Sequence, residues 1–73
     1  MKIFSICKDY HLKIGMALVG IDGVIVNSEK SLQRELDKAL HDNTIGILII
    51  EKSLENYEKP NVKDDNYKII ITI

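Results

Sequence analysis

The sequence predicts an α/β domain: a small three-layer fold with a four-stranded parallel sheet and helices on both faces. Two observations lead there. Ile45-Gly46-Ile47-Leu48-Ile49-Ile50, entered from Thr44, is an apolar run of strand length with no polar residue at alternate positions. A strand with one wet face would alternate, so this one asks for cover on both sides, as a central strand of a parallel sheet does. Stretches of strand and helix character also alternate along the chain, which is the order of β-α-β units.

Ile3-Phe4-Ser5-Ile6-Cys7 reads as the first strand, followed by a polar turn at Lys8-Asp9-Tyr10. From His11 to Val19 the period becomes helical, with Leu12, Gly15, Met16 and Val19 on one face and Ile14 and Leu18 as a second apolar stripe on roughly the opposite side. A helix in so small a domain buries one face internally, which leaves the second stripe for another chain. Gly15 costs about 1 kcal/mol relative to Ala in mid-helix, and close approach to the sheet is the usual reason for such a glycine. Gly20 stands where a capping glycine belongs, and Ile21-Asp22-Gly23 turns into a second strand, Val24-Ile25-Val26. Asn27 or Ser28 can cap the next helix, whose apolar set Leu32, Leu36, Ala39 and Leu40 follows i, i+4, i+7, i+8. Asp42-Asn43-Thr44 ends it and leads into the central strand. Glu51 to Tyr57 has room for one or two helical turns before Pro60 forbids continuation. A charged, mobile loop is expected over 58–66, and Tyr67 to Ile73 closes the sheet as a fourth strand. Right-handed crossovers then give a Rossmann-like order with the first and third strands in the middle.

At 73 residues this is a single domain, 1–73, and a domain of that size buries only about 60% of the surface its unfolded chain exposes. With 45% hydrophobic and 29% charged residues, the composition is that of an ordinary globular domain. The apolar runs at Ile14–Ile21 and Ile45–Ile50 are far shorter than the roughly 20 residues a membrane span needs. The N-terminus carries no signal-peptide pattern, and the single cysteine has no internal disulfide partner, so a cytoplasmic location is expected. A net charge of −1, one Phe and no Trp speak against nucleic-acid binding, which favours a basic face with stacking aromatics.

Few residues suggest chemistry. Cys7 ends a strand before a helix, where backbone N–H groups lower a thiol pKa in phosphate-handling enzymes. The segment that follows, Lys8 to Lys13, supplies neither the glycine nor the arginine of a phosphate cradle. Asp9, Asp22 and Glu51 lie near expected strand ends, as in an acidic Mg²⁺ pocket, but Ile50 closes the third strand where such a pocket places an Asp. Cys7, His11 and His41 have no metal-ligand spacing, and Gly20-Ile21-Asp22-Gly23 precedes a strand where a nucleotide fingerprint would open a helix. Neither a catalytic residue nor a cofactor or metal site is assigned. Lys30, Arg34 and Lys38 form a basic stripe that reads as a solvated helix face.

The run Lys13-Ile14-Gly15-Met16-Ala17-Leu18-Val19-Gly20-Ile21-Asp22-Gly23-Val24-Ile25-Val26 resembles the first helix and second strand of the F subunit of the V-type (archaeal-type) ATP synthase. Ile45 to Lys52 is similar to that family's third strand, with an amphipathic helix of matching length between the two. Lys8, His11 and Leu12 depart from the family pattern, as does Ile50, which stands where a Thr is usual, while Glu51 matches. The family's strand-to-helix Glu-Ile-Pro motif and C-terminal helix have no counterpart before Ile73. The resemblance implies a non-catalytic central-stalk (rotor) component, bound to the coiled-coil axle (the D subunit) and to neighbouring stalk subunits. It would help to couple ATP hydrolysis or synthesis to ion translocation, peripheral to the membrane on the cytoplasmic side. Ile14, Leu18 and Ile21 are nominated as the partner-binding residues, because the domain itself has little with which to cover them. The alternative is a cytosolic phosphotransfer domain using Cys7; a ligand-binding domain at the C-terminal edge of the sheet would need a convergent polar set that the sequence lacks.

Overall fold

A computed structural model describes residues 1–56 and 69–73. The order is β1 (Lys2–Cys7), α1 (Tyr10–Leu18), β2 (Asp22–Ile25), α2 (Glu29–Leu40), β3 (Ile45–Ile50), a short 3-10 helix (Lys52–Asn56) and β4 (Ile69–Thr72). All strand pairs are parallel and the sheet order is β2-β1-β3-β4, so β1 and β3 are central as expected. The mobile loop expected over 58–66, Pro60, Tyr67 and Lys68 lie outside the described residues.

Side chains in register across a parallel sheet point to the same face. Phe4, Ile6, Val24, Leu48 and Ile50 therefore share one face. Leu32, Leu36, Ala39 and Leu40 of α2 pack on it, joined by Val26, Ile45 and Leu54 in one buried cluster. The i, i+4, i+7, i+8 pattern is what lets α2 bury one stripe. Ser28 caps this helix: its hydroxyl accepts the Ser31 N–H at 3.1 Å, and the Ser31 hydroxyl accepts the Ser28 N–H at 3.2 Å, a reciprocal capping box. At the other end, Asp42 Oδ1 accepts both the Thr44 N–H and the Thr44 hydroxyl, which shapes the entry to β3.

The opposite face carries Ile3, Ser5, Cys7, Gly23, Ile25, Ile47 and Ile49. Here α1 lies over β1 and β2, and Ile47 and Ile49 are only half-buried. The expectation that β3 is fully covered on both faces holds for Ile45, Leu48 and Ile50 and not for Ile47 and Ile49, because α1 reaches over the other half of the sheet.

Two expectations about α1 are corrected. Val19 is 73% exposed, since the helix ends at Leu18 and Val19 serves as its cap rather than its inner face. Gly15 is exposed and a Cβ there would meet nothing within 4 Å, so close approach to the sheet does not explain it. Gly20 is the capping glycine the sequence suggests. Its φ is +86°, its N–H bonds the Ala17 carbonyl at 3.0 Å, and the Ile21 N–H bonds the Met16 carbonyl at 3.0 Å. That pair of bonds is a Schellman ending.

Candidate functional site

The C-terminal edge of the sheet is where open α/β folds place their ligands, and three of the residues considered for chemistry meet there. Cys7 ends β1, Asp9 is the N-cap of α1, and Glu51 follows β3. Asp9 Oδ1 accepts the His11 N–H at 2.9 Å. Glu51 Oε1 accepts the backbone N–H groups of Lys8 at 3.1 Å and Asp9 at 2.8 Å, and Glu51 Oε2 takes the Ser53 hydroxyl. The donors that would cradle a phosphate at a helix start are thus turned onto the protein's own carboxylate. Burial pushes the Glu51 carboxyl up, but the bonds from Ser53, Asp9 and Lys8 outweigh it and hold the group below its ordinary value.

Cys7 is fully buried. Burial raises its thiol pKa; the hydrogen bond with Ser5 and the charge of Lys13 pull the other way without reversing the shift, and the Glu51 and Asp9 carboxylates add to it. A thiol raised in this way is a poor nucleophile at neutral pH. Asp22 does not join Asp9 and Glu51: it begins β2 opposite Phe4, well below the edge. His11 lies in the first turn of α1 and His41 caps the far end of α2, where its Nδ1 lies 2.8 Å from the Asp37 carbonyl oxygen. Among the described residues no three His, Cys, Asp or Glu side chains gather in metal-binding range.

The apolar candidates form a surface. Helix α1 has no buried residue; Leu12 and Met16 are half-buried against the sheet, while Leu18 is 82% and Ile14 41% exposed. Tyr10 is exposed on the same helix, and Ile21 is half-buried just past its end. An outward Ile14 and Leu18 one turn apart make a short apolar ridge of the kind that seats against another helix. On the other side of the domain Lys30, Arg34 and Lys38 are exposed, with Lys38 3.9 Å from Glu35, the ordinary dress of a solvated face.

The family model of the ATP synthase (F/14-kDa) subunit matches residues 5–73. The chain belongs to this family. Comparison with curated proteins gives no significant match, and comparison with solved structures gives none either. Membership makes the domain a component of an ATP synthase complex. The edge donors of Lys8 and Asp9 are taken by Glu51, and α1 turns Ile14 and Leu18 outward while Leu12 and Met16 lie half-buried. Among the described residues no helix is long and apolar enough to cross a membrane.

Proposed function

We propose that this domain is a non-catalytic central-stalk component of a V-type ATP synthase or ATPase. It grips the coiled-coil axle, the D subunit, through the outer side of α1 and turns with it, helping to couple ATP hydrolysis or synthesis to ion translocation. In this reading it works peripheral to the membrane on the cytoplasmic side, among neighbouring stalk subunits, with no cofactor and no nucleic acid. The observation that supports it, beside family membership, is that α1 turns Ile14 and Leu18 to solvent while burying none of its own residues. Ile21, half-buried beside the Schellman ending, is the third residue of the proposed contact.

The decisive experiment replaces Ile14 and Leu18 together with Glu and measures binding to the axle. Removing two apolar anchors and adding charge is expected to weaken binding by about 100-fold or more, with the circular dichroism of the isolated domain unchanged. Loss of folding would make the ridge part of the core, and unchanged affinity would move the axle contact elsewhere. A phosphotransfer role for Cys7 draws no support from a buried thiol whose pKa is raised.

A further inference from the structure

The two layers on the sheet are attached differently. Helix α2 buries Leu32, Leu36, Ala39 and Leu40, whereas α1 buries none of its nine residues. The floor beneath α1 mixes small residues, Ser5 and Cys7 on β1 and Gly23 on β2, with Ile3 and Ile25. The small ones give a helix little to interlock with. A nine-residue helix is too short to persist by its own hydrogen bonds, and with Leu12 and Met16 its only half-buried apolar residues its attachment depends on polar ties as well as apolar contact.

Glu51 is placed to supply such a tie. It leaves the end of β3, and its carboxylate accepts the N–H groups of Lys8 and Asp9, 43 and 42 residues earlier in the chain. Asp9 is also the N-cap of α1, so the residue that starts the helix is tied at once to the helix and to the central strand. Hydrogen bonds to an ionised acceptor are about twice as strong as neutral ones. The Ser53 hydroxyl, on the adjacent 3-10 helix, fixes the carboxylate from its other oxygen.

We propose that Glu51 is a latch that holds α1 on the sheet. With the carboxylate engaged the helix is docked; with it removed, α1 leaves the sheet as a unit while α2 and the strands stay folded. The lowered pKa of Glu51 agrees with the carboxylate being the form that makes these bonds. The latch acts within the chain, whichever partner α1 meets. Local opening of this kind is a separate, low-energy event from global unfolding and is read directly by amide exchange.

The test is native-state hydrogen exchange on the chain carrying Glu51→Gln and, separately, Ser53→Ala, followed residue by residue. For Glu51→Gln the helical amides of α1 are expected to exchange about 10-fold faster or more, with those of α2 and β3 changing by less than about twofold. Ser53→Ala is expected to give the same pattern at smaller amplitude, and it decides the matter should Glu51→Gln fail to fold. Equal acceleration in every element would make Glu51 an ordinary contributor to global stability, and unchanged exchange in α1 would remove the latch altogether.

Discussion

Gly23 and Ser5 face each other across the β1 and β2 pair. A Cβ on Gly23 would run into the Ser5 hydroxyl and come within 2.9 Å of the Ser5 carbonyl oxygen. Ser5 cannot easily yield, because it is fully buried and its hydroxyl donates to the Asp22 carbonyl at 3.2 Å. Gly23→Ala is therefore expected to cost about 1–3 kcal/mol of stability, as overpacking does. A urea midpoint equal to that of the parent would refute the close contact. The sequence shows Gly23 only as part of a turn, since a contact between residues 5 and 23 leaves no local pattern. Cys7, Asp9 and Glu51 can be placed near strand ends from the alternation of elements alone. That Glu51 reaches back to the N–H groups of Lys8 and Asp9 cannot, because that bond is set by strand order and not by spacing.

At the scale of the element, α2 is the part most fully written in the chain. Its four apolar positions are the four that are buried, and a capping serine is expected before it. The reciprocal half of the cap is hidden, since Ser31 stands where a capping box usually has Glu or Gln. Ser28→Ala is expected to lower stability by about 1 kcal/mol, read as a fall in the thermal midpoint; no fall would mean that the bonds to Ser31 are redundant. Helix α1 is harder to read. The outward stripe of Ile14 and Leu18 follows from the period and both are exposed, but the same period places Val19 on the inner face, where it is not. The 3.6-residue repeat continues through Val19 on paper, whereas the Schellman turn at Gly20 ends the helix one residue sooner.

For the whole molecule, the parallel sheet and its central strands follow from the apolar run of β3 and the alternation of elements. The unequal cover of its two faces does not, because periodicity shows that a residue is apolar and not how far a helix extends over it. Cover is thinnest at β4, a strand at the edge of the sheet, where both faces are exposed. Ile69, Ile70 and Ile71 are 57%, 49% and 42% exposed, although they alternate between the two faces. An uncharged, apolar edge strand is a template for pairing with another chain. Ile71→Lys is expected to raise severalfold the concentration at which the isolated domain self-associates, followed by light scattering. An unchanged onset would place self-association elsewhere.

Because every strand runs in the same direction, the Glu51 attachment lies at one end of α1 only, while the Gly20 turn at the other end is closed by the helix's own carbonyls. A neighbour pulling outward near Leu18 would thus act through the short link to the edge strand β2, whereas one pressing near Tyr10 would bear on the central strands. A load taken at the Asp9 end would pass into the middle of the sheet, and one taken at the Leu18 end into its edge.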